Sequence, residues 1–401
     1  MHKGFSLSKQ INQQRILDLL RSEMPLSRAD IARMTGLSKA TVSRLVLELE
    51  QAGAVRPNGS DDRILGRKSR LYNFNNDMQC VAGIELHHEA LHAIVTNFEA
   101  KPLKEYSLRL PNTSINTFMD VFGDILKRIN KDIRINMVGV SIGIQGICDN
   151  QSGMVVQAAN LGWYNVPLNN LILERYGIKV DIVNRANAAA LGEYWYGAGK
   201  EAKSLFYIHI GSGIGAGLVY EGELILGASN AAGEFGHVPV LINGPRCRCG
   251  NRGCLEAIAS ANAIVGKIKT LAPGICDKEL EDFAGKSLSN FSAVDVVAAA
   301  LAGNKLVMSV LDETAEYIGI ALGSVLNVFN PECIVVGGLS YYLPLSFINR
   351  IQEETNKYSL PYISEDVKFI RSELGQNAVA IGAAALLVNN ILPSLHQQTL
   401  I

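Results

Sequence analysis

The chain has 401 residues, of which 48% are hydrophobic and 19% charged, with a formal net charge of −1. That length suits two or three domains, and that composition suits a large buried core rather than a disordered or fibrous chain. No apolar run reaches the ~18 residues of a membrane span, the opening MHKGFSLSKQ lacks the apolar segment of a secretory leader, and seven cysteines in such a chain point to a reducing cytoplasm.

The charge is unevenly spread. Residues 1–76 carry 13 Lys and Arg against 7 Asp and Glu, and the remainder carries 24 against 31. A basic head on an acidic body suggests that the head meets a polyanion. Residues 12–22 place Ile16, Leu17, Leu19 and Leu20 on one stripe, which predicts an amphipathic helix. Ser27 caps a second helix, with Asp30 at the capping-box position, and Gly36 ends it. Ser38 opens a third helix that closes at Gly53, so the three make a helix-turn-helix unit.

In the third helix Val42, Leu45, Val46 and Leu49 form the core face. Ser38, Lys39, Thr41, Ser43 and Arg44 are short or basic and lie near its N-terminus, the end a recognition helix presents to base edges in the major groove. The following VRPNGSDDRILGRKSRLYNF reads as the wing of a winged helix, with Arg63, Arg67, Lys68 and Arg70 meeting phosphate or a minor groove. The competing reading is a helical protein-interaction module with a solvated charge run.

From about Asp77 the pattern becomes α/β. CVAGIELH and LHAIVTNF predict a hairpin, residues 117–129 a helix, MVGVSIGI a buried strand, KVDIVN another strand, and residues 186–196 a helix. SLFYIHIGSGIGAGLVYEGELILG reads as a second hairpin. A helix over 312–329, the strand CIVVGG and a last helix over 378–389 complete the pattern. Gly211, Gly213, Gly215 and Gly217 recur at every second position. A strand rather than a helix follows them, so a dinucleotide fingerprint fails. Such glycines bare one face of a strand to a ligand or to another backbone, and both readings stand.

Gly233 to Glu256 reads GEFGHVPVLINGPRCRCGNRGCLE. His237, Cys247, Cys249 and Cys254 are a complete tetrahedral donor set for zinc, with no open position for water, so the expected Zn2+ is structural. Asn243-Gly244-Pro245 supplies the turn that returns the chain to His237, and Gly250 and Gly253 let it wrap tightly. The alternative is three buried thiols and a satisfied histidine. Cys80, Cys148, Cys276 and Cys333 read as plain thiols.

GEFGH followed by CRCGNRGCLE resembles the zinc signature of the ROK family (repressors, open reading frames and sugar kinases), and the resemblance runs from the N-terminal helices to about residue 390. It implies a fold of class α/β: an N-terminal winged helix-turn-helix plus a two-lobed actin-like (ribonuclease H-like) body. The expected division is a DNA-binding domain over 1–76, a first lobe over 77–187 and 378–401, and a second lobe with the zinc site over 188–377.

The resemblance also implies roles. Glu234, His237, Glu256 and Asn184 match family positions that hydrogen-bond sugar hydroxyls, and Gly146 and Asn160 align with loops lining the same cleft. In family kinases the position of Arg185 holds the aspartate that acts as general base, and arginine cannot abstract a proton. The first phosphate loop is Asp-Gly-Gly-Thr in the kinases, and here Gly83-Ile84-Glu85-Leu86-His87-His88 occupies its place and is too bulky for close backbone approach. Gly337-Gly338 and the period-two glycines remain, so nucleotide binding stays open. Arg185 reaching into the cleft would admit an acid or a phosphosugar. The expected protein is a sugar-responsive repressor rather than an enzyme, working as a homodimer or homotetramer on operator DNA and contacting no membrane. Repressors of xylose operons are among the members it resembles, so xylose or a hexose is the expected effector. The competing reading is an active sugar kinase with an appended DNA-binding head, and a third makes the body a docking platform for a phosphotransfer protein.

Overall fold

The computed structural model describes residues 9–391 except 10, 14, 18, 21–24, 62–68, 88 and 274–276. Described positions from Lys9 to Leu20 are helical, so the first helix begins before Asn12. Helices Arg28–Thr35 and Lys39–Gln51 follow. The capping box forms as expected: Asp30 N donates to Ser27 Oγ at 3.2 Å, and Ser27 N donates back to Asp30 Oδ2 at 3.3 Å. Gly36 closes the helix at φ 71°, a left-handed conformation that costs glycine little. Val42, Leu45, Val46 and Leu49 are all buried. Strands Val55–Asp61 and Ser69–Phe74 pair antiparallel where the wing is expected, and Leu26–Ser27 adds a third strand that the short, mixed sequence there does not announce. Arg63, Arg67 and Lys68, expected on the wing, lie outside the described residues, as does Cys276.

The body holds two five-stranded sheets with one plan. In the first, Cys80–Leu86 pairs antiparallel with Ala90–Asn97, which pairs antiparallel with Pro102–Arg109. On its other side Cys80–Leu86 runs parallel to Met137–Ile144, which runs parallel to Val180–Asn184. In the second, Ser204–Ile210 pairs antiparallel with Ile214–Tyr220, which pairs with Glu223–Leu224. On its other side lie Cys333–Gly338 and Lys368–Arg371, both parallel. The shared plan is the two-lobed actin-like arrangement. A smaller sheet of Ile147–Asp149, Met154–Ala158 and Trp163–Val166 sits at the carboxyl end of the first.

Each sheet buries one face under helices. Ile115–Asp132 packs Phe118, Phe122 and Ile125 against Ile84, Ile142 and Ile182. Lys305–Phe329 packs Ile318 and Leu322 against Ile208 and Val336. Helices Arg185–Tyr196 and Ala378–Ile391 lie between the sheets. The two helices touch backbone to backbone, since a β-carbon on Gly382 would stand 1.7 Å from Ala188 O, and the last helix meets strand Cys80–Leu86 as closely, since one on Gly83 would stand 1.8 Å from Ala380 O. Only glycine permits these approaches.

The head is not a tethered bead. Ile16, Leu45, Leu49 and Phe74 share one buried cluster with Val81 of the first sheet, with Phe98 just past strand Ala90–Asn97, and with Ala384, Leu387 and Val388 of the last helix. Phe74 stacks on Phe98 with centroids 6.3 Å apart, and Phe98 N donates to Asn76 O at 3.0 Å. Among the described residues no single helix is long and apolar enough to cross a membrane. Burial pushes the Cys80 and Cys333 thiols up to about 11 and Cys148 up to about 12, as expected of inert packing thiols.

Candidate metal centre and ligand cleft

After the short turn Phe235–His237 the chain doubles back through Asn243, whose φ is 63°. Isolated bridges join Pro239 to Cys254 and Arg246 to Arg252. Cys247 N donates to Asn251 O at 2.8 Å, and Gly250 N to Cys247 O at 3.0 Å, which curls the two intervening residues into a knuckle. His237 Nδ1 lies 3.7 Å from Cys247 Sγ, and Cys249 Sγ lies 3.7 Å from Cys254 Sγ. One ligand atom from each of the four residues falls within 4.8 Å of the others. A tetrahedron with Zn–S of ~2.3 Å has edges of ~3.8 Å, so the donor set fits zinc in number, chemistry and spacing. Burial pushes the Cys254 thiol up to about 12 while the Asn251 N–H holds Cys249 down. A divalent cation bound there would hold all three as thiolates.

The knuckle walls a cleft of about 500 Å³ between the two sheets. Gly146, Asn160, Asn184, Arg185, Glu234, His237 and Glu256 all line it, so the structure brings together every residue expected there. With Nδ1 turned to the sulfurs, His237 presents Nε2 to the cleft, 3.7 Å from Glu234 Oε2. A metal on Nδ1 would fix the ring and leave Nε2–H to a ligand or to Glu234. Crowding by the cleft walls raises the pKa of Glu234, Glu256 adds to the rise, and His237 opposes it. Glu256 is already engaged: Oε2 accepts from Ile214 N at 3.1 Å, and Oε1 from Arg248 at 3.2 Å.

Asn184 has a double structural use. Its Oδ1 accepts from Ala186 N at 2.8 Å and Asn187 N at 3.2 Å, capping the helix that follows. Its Nδ2 donates to Gly146 O at 2.7 Å, which pins the loop after Met137–Ile144 to the cleft floor. Asn160 Nδ2 donates to Gln145 Oε1 at 3.3 Å. Gln145, Gln157, His209 and Arg248 also line the cleft. Sequence reasoning did not single them out, because they carry no motif of their own.

Arg185 lines the cleft but does not extend freely into it. The residue is 6% exposed, its Nη1 stands 3.5 Å from Glu85 Oε1, and its other terminal nitrogen meets His209 Nε2. Its charge is therefore matched by Glu85, which lies in the stretch that occupies the place of the first phosphate loop. The period-two glycines fit their surroundings in the same region. A β-carbon on Gly217 would stand 2.6 Å from Ala190 Cβ, and one on Gly215 3.3 Å from Ala186 Cβ. Those two glycines admit helix Arg185–Tyr196 against the second sheet, which favours the backbone-contact reading.

On the head, Ser38, Lys39 and Arg44 are exposed and Thr41 and Ser43 half-buried, all on the first turns of helix Lys39–Gln51. Ser38 Oγ is partly spent on the cap, accepting from Thr41 N at 3.1 Å. Arg70 pairs with Glu50 at 3.2 Å and flanks the Tyr72 ring, with Arg28 also within 5.0 Å of the ring centre.

Comparison with known proteins agrees with this geometry. The ROK family profile matches residues 81–390, and the IclR helix-turn-helix domain profile matches residues 14–59. The chain is 32% identical over 392 residues to the xylose repressor of Caldicellulosiruptor bescii, covering 96% of this chain and 98% of that one. It is 34% identical over 254 residues to the glucokinase of Halalkalibacterium halodurans, covering 63% of this chain and 76% of that one. The crystal structure of a ROK family transcriptional regulator, a homologue of the E. coli MLC protein, superposes with a TM-score of 0.81 at 25% identity, covering 98% of both chains. A helix-turn-helix head, a duplicated-sheet body and a histidine–cysteine knuckle beside its cleft thus occur together in one chain, and that chain belongs to the ROK family.

Proposed function

We propose that the protein is a sugar-responsive transcriptional repressor of carbohydrate-utilisation genes and a catalytically inactive relative of ROK sugar kinases. One observation carries this reading: a helix-turn-helix head shares its core with a body whose cleft offers hydroxyl-binding groups, while the general-base position holds an arginine already paired with Glu85. Glu234, His237, Glu256 and Asn160 face the ligand, and Asn184 and Gly146 shape the floor. Each buried polar partner left unmatched costs about 1–3 kcal/mol, so such an array discriminates among sugars by hydroxyl pattern. A structural Zn2+ on His237, Cys247, Cys249 and Cys254 holds the imidazole in place. The assignment of 1–76 to the DNA-binding domain, 77–187 with 378–401 to the first lobe and 188–377 to the second follows the same reading.

Control runs through the last helix. Sugar shifts the balance between two lobe arrangements by the difference in its affinity for them. Helix Ala378–Ile391, which touches both lobes and the head core, carries the change to the head. Ser38, Lys39, Thr41, Ser43, Arg44 and Arg70, with the wing residues Arg63, Arg67 and Lys68, meet operator DNA. The protein acts in the cytoplasm as a homodimer or homotetramer, which a two-fold operator requires. Xylose is the first effector to test, given the similarity to xylose repressors. The test is titration of xylose, hexoses and their phosphates against the protein–operator complex; release by at least one sugar is expected, and release by none would refute the inducer mechanism. The similarity to a glucokinase supports a second reading, an ATP-dependent sugar kinase with a DNA-binding head. ATP turnover on pentoses or hexoses would establish it.

A further inference from the structure

We propose that Arg185 is a lobe-positioning residue: held by Glu85, its guanidinium catches His209 and fixes the arrangement of the two sheets seen here. The three side chains come from three elements. Glu85 lies on strand Cys80–Leu86 of the first sheet, Arg185 opens the helix between the sheets, and His209 lies on strand Ser204–Ile210 of the second sheet.

Several features mark the cluster as more than packing. Arg185 is the first residue of helix Arg185–Tyr196, where the positive end of the helix dipole disfavours a cation. It is also almost fully buried. A buried charge in an unfavourable field persists only where its partners hold it. Glu85, with a side chain only 15% exposed, supplies the opposite charge. The contact with His209 has a definite polarity. Arginine can only donate, so His209 Nε2 must accept, and the ring is the neutral tautomer with its proton on Nδ1. That proton points to Tyr207 Oη, 3.2 Å away. A chain from Glu85 through Arg185 and His209 to Tyr207 therefore crosses from one sheet to the other at the cleft floor. Helix Arg185–Tyr196 follows strand Val180–Asn184 of the first sheet in the chain but packs on the second sheet, so it is the whole chain of contacts, rather than one half of it, that joins the two sheets.

The use of such a catch rests on the sensor reading, because it would set how much ligand free energy a change of lobe arrangement requires. Its test needs neither sugar nor DNA, so the two can fail separately. Hydrogen exchange of the full-length protein, followed by mass spectrometry, compares residues 204–215 in the wild type, His209→Leu, His209→Gln and Arg185→Lys. Leucine removes the acceptor, whereas glutamine places an amide oxygen near the position of Nε2. Lysine keeps a charge for Glu85 but lacks the second prong of the fork. Loss of the catch should speed exchange in 204–215 about tenfold in His209→Leu and Arg185→Lys, with His209→Gln close to wild type. Strand Met137–Ile144 serves as the internal reference, since global unfolding would speed it equally. Should His209→Leu fail to fold, Arg185→Lys decides alone. Wild-type exchange in the folded leucine or lysine variant, or a glutamine variant as fast as leucine, overturns the proposal.

Discussion

Asn184 is the residue at which structural and ligand-facing roles are most easily confused, and its hydrogen bonds allow them to be separated. Replacing it by alanine removes the helix cap, made through Ala186 N and Asn187 N, and the bond to Gly146 O. An N-cap contributes about 1 kcal/mol, and a hydrogen bond to a partly buried carbonyl about another 1 kcal/mol. Asn184→Ala should therefore destabilise the body by about 2 kcal/mol. Asn184→Ser keeps a capping hydroxyl but cannot reach Gly146, so it should cost about half as much. Urea unfolding followed by tryptophan fluorescence suits the measurement, because Trp195 sits on the capped helix. Calorimetry with the effector sugar then reads the site. Because the Gly146 loop loosens in both variants, both should bind more weakly. Equal destabilisation by serine and alanine would refute the cap assignment. Unchanged stability with abolished binding would refute the structural role altogether.

The purified protein should carry about one zinc per chain by elemental analysis. Cys249→Ser should lower that content and weaken sugar binding together, because His237 loses its fixed ring. His209 is held neutral by burial first, then by Arg185 and His87, so its folded pKa lies well below the ordinary 6.5. The unfolded chain then takes up the extra proton as pH falls below about 6.5, and stability should drop through that window by up to about 1.4 kcal/mol per pH unit. His209→Gln should flatten that slope by one proton, as read by urea midpoints between pH 7 and 5. Leu387→Ala, at a site 6% exposed in the core shared by head and body, should cost about 2–5 kcal/mol and expose the head to limited proteolysis before the body.

What the sequence disclosed is mostly local. The Ser27–Asp30 box, the buried stripe of Val42, Leu45, Val46 and Leu49, and the histidine–cysteine knuckle are each set by residues close together in the chain. The elements it concealed depend on distant partners. Strand Pro102–Arg109 lies at a sheet edge with most side chains outward, so little apolar alternation marks it. The long helix starts at Lys305 rather than Asp312, because Asn304 caps it through Val307 N at 3.1 Å. Position 185 was legible as a lost base, but not as an ion pair with a residue 100 positions earlier in the chain. Period-two glycines announced a close approach without naming what approached; helix Arg185–Tyr196 answers that at Gly215 and Gly217.

Helix Ala378–Ile391 also bears on how the protein is made. Ala384, Leu387 and Val388 complete the core begun by Ile16 and Leu45. Those head residues leave the ribosome long before the helix that seats them. Until that helix is made the head can rest on Val81 and Phe98 but lacks the residues that complete its seat, and a chain ending before residue 378 would be a DNA reader severed from any nutrient signal.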